Sequence, residues 1–349
     1  MSDLTTVPAD HSSFASVDVT IIGGGPTGLF AAFYAGMRGA TVRIIDSLPE
    51  LGGQLMALYP EKHIFDVGGF PRVLARDLAS NLIDQAMQFS PEVFVDEEIR
   101  SVHPDGAGGF ELEGKNGKRW ATRSLIVCGG RGAFEPRKLE CPGYDALLGR
   151  GVHYAVKQPE VFDGKRIVIV GGGDSALDWA LILKDRAAQC VVVHRRDGFR
   201  AHEASVRQLD QAVAEGQIDL RLFQEVDEIL GGERVEGVRL LDNRTQVRTE
   251  IEADAVLTFL GFKPDLGPIQ SWGLEVEGNR IVVGRRMETN IPGIFAAGDI
   301  VDYEGKLDLI ATGFSEAALA VNNAVRYVDP SARVNPGHST SMKVFQGAG

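Results

Sequence analysis

The stretch Val17–Asp46, VDVTIIGGGPTGLFAAFYAGMRGATVRIID, reads as strand, glycine turn, helix, strand. Val17, Val19, Ile21 and Ile22 make a short apolar strand, and Gly23, Gly25 and Gly28 follow with G-x-G-x-x-G spacing. The first glycine permits the tight turn, the second lets the backbone approach a pyrophosphate, and the third lets helix and strand pack closely. Leu29, Phe30, Phe33 and Met37 stripe the helix, and Thr41–Ile45 returns as a parallel strand. Asp46 ends that strand about 20 residues on, where a carboxylate accepts the hydrogen bonds of a ribose diol. A glycine turn alone also describes an ordinary tight turn. Strand, helix, strand and terminal acid together point to dinucleotide binding.

The theme recurs at Arg166–His194, RIVIVGGGDSALDWALILKDRAAQCVVVH. Ile167–Val170 is the strand, and Gly171, Gly173 and Ala176 give G-x-G-x-x-A, with Asp174 and Ser175 between the last two. Cys190–Val193 is the return strand. It ends in His194-Arg195-Arg196, with Arg200 shortly after, where the first copy has Asp46. A carboxylate suits a bare ribose, so the first copy fits FAD or NAD. Forked cationic donors suit a 2′-phosphate, so the second fits NADP. The plain alternative for the arginines is a solvated basic turn.

Between and after these units the chain repeats one plan. Ser47–Asp66 has no clean period and reads as a loop at the ligand edge of the sheet, with Gln54 and Tyr59 within reach of a bound ring; Tyr59 is otherwise a half-buried aromatic. Pro71–Phe89 reads as an amphipathic helix. Val93–Val95, Ile99–Val102, Phe110–Leu112 and Trp120–Thr122 read as a β-meander, and Leu125–Val127 as a separate buried strand ending at Gly129. Arg131–Gly143 reads as a linker. A second meander is expected over Val235–Leu241 and Thr245–Ile251, then a strand Ala255–Leu260. A short strand, Ile294–Ala297, runs into Gly298-Asp299, placing a carboxylate where it can reach a polyol hydroxyl; capping a helix is its plainer role. The helix Ala311–Tyr327 follows. Its N-terminus, with free N–H donors and partial positive charge, suits a flavin pyrimidine. The expected fold is α/β: two Rossmann-like, three-layer ββα dinucleotide-binding domains. The FAD domain, residues 1–139 and 262–349, is split around an NADPH domain, residues 140–261.

A chain of 349 residues suits two cores, and 44% hydrophobic with 24% charged residues is ordinary for a globular protein. A net charge of −12 argues against nucleic acid and anionic membranes as partners. No apolar run reaches the ~18 residues of a membrane span. Met1–Ser16 lacks the regions of a signal peptide and reads as a frayed terminus, so the expected location is the cytoplasm. Cys128, Cys141 and Cys190 have no short pairing and argue against a disulfide framework. His63, His153 and His202 show no metal-ligand spacing, and no metal is expected.

Taken together, the two glycine motifs, HRRDGFRA (194–201) and FAAGD (295–299) resemble those of the two-dinucleotide flavoprotein oxidoreductases. The second half looks like the NADPH domain of low-molecular-weight thioredoxin reductases. Those carry a Cys-x-x-Cys pair before the second glycine motif; Gly151–Lys157, GVHYAVK, has none, so a dithiol relay is chemically closed. GGQLMALYPEKHIFDVGGFP (52–71), RGAFEPRKLE (131–140), YEGKLDLIATGFSEA (303–317) and HSTS (338–341) are similar to segments of the thioredoxin-reductase-like ferredoxin–NADP(+) reductases, across nearly the whole chain. That resemblance implies a homodimer that moves hydride between NADP(H) and flavin N5 and exchanges single electrons with ferredoxin, or with flavodoxin or rubredoxin. It places Thr27, Asp46, Gln54, Tyr59, Phe134, Asp299 and Thr340 on FAD and brings the Ile99 backbone to the adenine. Tyr59 would lie on one face of the isoalloxazine and His338 on the other. The rival readings are an NADPH-dependent diaphorase or quinone reductase, and a non-catalytic flavin- or NADP-binding redox sensor.

Overall fold

The computed structural model describes residues 13–132, 135–156, 158–263 and 265–333. The chain divides into two compact units, Met1–Ala133 with Pro264–Gly349, and Phe134–Lys263.

The first unit is built on a seven-stranded sheet. Ser13–Ile22 lies at its centre, parallel to Val42–Ile45 on one side and to Arg119–Val127 on the other. Glu92–Phe94 extends the parallel set beyond Val42–Ile45. This corrects one expectation: the segment around Val93 is a third Rossmann strand and not part of the meander. A second correction concerns Trp120–Thr122 and Leu125–Val127, which form a single nine-residue strand. Its first half pairs antiparallel with Phe110–Gly114, and its second half pairs parallel with Ile294–Ala296. The polar residues that look like a break in the sequence are absorbed inside the sheet. Ser124 is fully buried and its hydroxyl donates to the Gly293 carbonyl at 2.9 Å, while Thr122 donates to the Ser124 carbonyl at 2.8 Å. The loop expected after Asp46 contains a short helix, Gln54–Ala57, and the amphipathic helix begins at Ala75 rather than Pro71.

The second unit shows why the fold has three layers. Its five-stranded parallel sheet includes Arg166–Gly171, Gln189–His194, Asp219–Leu222 and Ala255–Phe259. Successive side chains alternate faces along a strand. Ile167, Ile169, Cys190, Val192 and Leu257 pack with Ala176 and Leu177 of the helix Asp174–Leu183 and Leu209 of the helix Glu203–Ala214. Val168, Val170, Val191, Val193 and Val256 point the other way, onto Val226, Val238 and Leu240 of a separate antiparallel sheet. That sheet is Gln224–Leu230, Gly237–Asp242 and Arg248–Glu252. A strand buried on both faces reads as an unbroken apolar run, as IVIV and VVV do here. The expected α/β, ββα class is therefore borne out. No helix among the described residues is long and apolar enough to cross a membrane.

The entry to Ala255–Phe259 is pinned by Asp254, which accepts from the Arg166 backbone N–H at 2.9 Å and from its guanidinium at 2.7 Å. The Arg166 hydrogen bonds pull the Asp254 carboxyl down to about 2. A carboxyl lowered on folding adds stability above its unfolded value, near 4, and loses it as pH falls towards 2. Asp254→Asn is expected to lower the urea midpoint slightly at pH 7, because solvent screens the pair. The difference from the parent should narrow as pH falls from about 4 and vanish only well below the folded value of about 2; a gap independent of pH would show that the ion pair is not its source.

Candidate functional site

Parallel register decides what meets at the edge of the first sheet. Ile45, Ile22, Val127 and Ala296 lie in one row. The residues just beyond them, Asp46, Gly23, Cys128 and Ala297, therefore emerge together at the carboxyl ends of the strands, where α/β ligands bind. Gly23 turns there with φ of +105°, and a β-carbon on it would lie 2.4 Å from the Cys128 carbonyl oxygen. The helix Pro26–Met37 starts from Gly25 with no side-chain cap and no acid in its first turn. Its N–H donors are thus open to an anion. Thr27 is wedged between two distant glycines: a β-carbon at Gly298 or Gly313 would stand 2.9 or 2.4 Å from its Oγ1. Gly53 abuts Gly25, and Gln54 Nε2 lies 3.3 Å from where a Gly130 β-carbon would be.

Asp46 is buried, and its two carboxylate oxygens accept from the Gly24 N–H at 2.5 Å and the Leu48 N–H at 2.8 Å. Burial pushes its pKa up, against those two hydrogen bonds. The acid thus ties the glycine turn to the strand end, and each oxygen keeps a lone pair for a sugar hydroxyl. The Asp46 carbonyl also accepts from Glu97 N–H at 3.0 Å, which hangs the start of the Ile99–Pro104 strand on the same turn. Asp299 is pushed up by burial and by Asp308, and is countered by Arg131, whose Nε is 3.8 Å away. Burial, with the Asp299 charge, drives the Tyr59 phenol up to about 12, so it stays neutral. Phe134, His338 and Thr340 lie outside the described residues.

One cluster escaped the sequence reading. Glu316 and Lys306 are both almost fully buried and paired at 2.6 Å. The Tyr303 hydroxyl donates to the same Glu316 oxygen at 2.7 Å, and the other oxygen accepts the Gly298 N–H at 2.7 Å. The signal was present: Glu316 falls among Gly313, Ala317 and Ala320 on the buried face of the helix Ile310–Val328.

In the second unit Gly171, His194, Leu222 and Phe259 mark the same edge. A β-carbon at Gly171 would come within 2.7 Å of the Phe259 carbonyl oxygen and 2.8 Å of the Ala176 β-carbon, so both positions must be small. His194 covers Gly172 and stacks on Phe199 at 4.9 Å. Gly173 caps the helix Asp174–Leu183 without a side-chain bond, and a β-carbon there would meet nothing within 4 Å. Ser175 is exposed on the first turn, while Asp174 accepts the His202 N–H at 2.9 Å. The Arg200 N–H donates to the Gly172 carbonyl at 2.8 Å, which brings the arginine loop back over the glycine turn. Arg195, Arg196 and Arg200 are exposed, and their guanidinium groups form no ion pair among the described residues.

Each unit sets a glycine turn and an uncapped helix N-terminus at the carboxyl edge of a parallel sheet, with buried Asp46 beside the first and exposed arginines beside the second, which is the architecture of a two-domain dinucleotide-binding protein. The chain belongs to the pyridine nucleotide-disulphide oxidoreductase family, whose model matches residues 17–324. It is 48% identical over 332 residues to a ferredoxin–NADP reductase of Thermus thermophilus, covering 95% of this chain and 97% of that protein. It is also 48% identical over 326 residues to ferredoxin–NADP reductase 2 of Listeria monocytogenes serotype 4b, covering 93% and 97%. Among solved structures it is similar to the thioredoxin reductase of T. acidophilum, with a TM-score of 0.76 and 26% identity over 90% of this chain and 99% of that one. The thioredoxin reductase of Lactococcus lactis follows with a TM-score of 0.75 and 26% identity, over 89% and 99%. The resemblance read from the sequence motifs is thus borne out.

Proposed function

We propose that the protein is an FAD-dependent ferredoxin–NADP(+) reductase. One observation carries the reading furthest: a thioredoxin-reductase fold holds three cysteines that are all unpaired. Burial raises the Cys190 thiol to about 12 and the Cys141 thiol to about 11, and drives Cys128 up as well. Such thiols are poor nucleophiles at neutral pH. Electrons then leave by a route other than a dithiol, and the names of the relatives support a ferredoxin as their acceptor.

The cofactors are FAD and NADP(H), which when bound supply hydride transfer on one side and single-electron release on the other. The residues in the first cradle fit FAD. The free N–H groups at Thr27 and Gly28 would hold its pyrophosphate, with Gly23 and Gly25 giving access. Asp46 would take the adenosine ribose and Asp299 the ribityl chain. Gln54 and neutral Tyr59 would border the ring system, and the Ile99 backbone would meet the adenine. Phe134, His338 and Thr340 complete the assignment. In the second cradle Gly171, Gly173, Asp174, Ser175 and Ala176 would receive the NADP pyrophosphate. His194, Arg195, Arg196 and Arg200 would surround the 2′-phosphate. A homodimer working in the cytoplasm belongs to the same reading.

The test is cytochrome c reduction by the purified yellow protein with NADPH. Adding ferredoxin should raise the rate at least about tenfold. Ferricyanide reduction with no ferredoxin effect would instead make the protein a diaphorase. Flavin binding with negligible NADPH oxidation by any acceptor would make it a sensor.

A further inference from the structure

We propose that Arg244 is a fourth guanidinium of the 2′-phosphate site, presented on the ring of Phe223. The inference rests on the NADP reading of the second cradle. His194 and Leu222 are register partners on adjacent parallel strands. The residues that follow them, Arg195 and Phe223, therefore leave the sheet from neighbouring strand ends. The turn that joins Gly237–Asp242 to Arg248–Glu252 is strapped to this spot. The Asn243 N–H donates to the Phe223 carbonyl at 2.8 Å, and its side-chain amide donates to the Arg195 carbonyl at 3.0 Å.

Arg244 then lays its guanidinium over the Phe223 ring, 3.8 Å from the centroid. Stacking orders an arginine without using its in-plane N–H donors, which is the state that suits a bidentate phosphate contact. The neighbouring acids hold the turn together, and Asp242 also lies within electrostatic reach of the Arg244 guanidinium without pairing with it. Asp242 accepts from the Arg244 and Thr245 N–H groups at 2.9 and 2.8 Å, and Glu225 accepts from the Asn243 amide at 3.0 Å. Arg244 is exposed and forms no ion pair among the described residues. Phe223 has φ of +58°, a left-handed backbone that is unfavourable for a bulky residue and that the strap holds in place.

The experiment is calorimetric titration of the purified holoprotein with adenosine 2′,5′-bisphosphate and with 5′-ADP. Arg244→Ala should weaken the bisphosphate about five- to tenfold and leave 5′-ADP within about twofold, as loss of one charge-assisted phosphate contact predicts. Arg244→Gln repeats the test with the side-chain length kept, and Phe223→Leu should give a smaller loss of the same selectivity. If both Arg244 variants bind the bisphosphate like the parent while Arg195→Ala loses affinity, the Arg244 assignment is overturned and the NADP reading stands. If Arg195→Ala is also without selective effect, the NADP reading fails and takes this inference with it.

Discussion

Lys306→Met is expected to destabilise the unit that carries the first cradle by about 3–5 kcal/mol, the usual cost of removing one partner from a buried ion pair. Lys306 and Glu316 are only 4% and 2% exposed. Without the ammonium, the Glu316 carboxylate keeps only the Tyr303 hydroxyl and the Gly298 N–H, which are two dipoles in place of a charge. The Gly298 tether matters because Gly298 packs against Thr27 and leads directly into Asp299 at the strand end. Adding Glu316→Gln to the variant should recover most of the loss. A neutral amide oxygen still accepts from Gly298, and no uncompensated charge remains. Urea titrations of the two single variants and the double variant give the coupling. Strictly additive effects would mean that the two side chains do not act as a pair.

What the sequence made legible was local. The glycine spacing, the apolar strands and the contrast between Asp46 and His194-Arg195-Arg196 are all short patterns, and each sits at a strand end in the structure. Pairing partners far along the chain were not legible. Thr27 entered through the family resemblance as an FAD contact, and nothing local ties it to Gly298 and Gly313, which are small because its side chain occupies the space between them. Buried charge was not legible either. Arg43 alternates with apolar neighbours as a surface residue would, but it is fully buried, bonded to Glu92 at 2.8 Å and to the carbonyls of Ala15 and Ala121. Lys306 sits in a loop of mixed charge that gives no sign of its burial, and only the helical spacing of Glu316 hints at its own. Ser124 looks like a strand break because its buried acceptor, Gly293, is on another strand's approach. Phe134, His338 and Thr340 carry no local pattern at all and entered only through the family resemblance.

Glycines that share one motif should respond in opposite ways to the same methyl group. At Gly28 a β-carbon would stand 1.8 Å from the Gly23 carbonyl oxygen and 3.4 Å from the Cys128 β-carbon. The obstacle is backbone, so relief requires the helix Pro26–Met37 to lift off Ser13–Ile22. Gly28→Ala should therefore cost about 4 kcal/mol or more and yield a colourless or insoluble protein. At Gly173 the same methyl meets nothing within 4 Å, and the backbone, at φ of −105°, accepts any residue. Gly173→Ala should leave stability within about 0.5 kcal/mol. It should also weaken NADPH binding at least about tenfold, because the methyl intrudes where a pyrophosphate approaches the uncapped helix N-terminus. Thermal melts, flavin absorbance and NADPH titration separate these outcomes. A stable yellow Gly28→Ala protein would refute the close helix–strand packing inferred at the first turn. Unchanged NADPH affinity in Gly173→Ala would remove the pyrophosphate from the second.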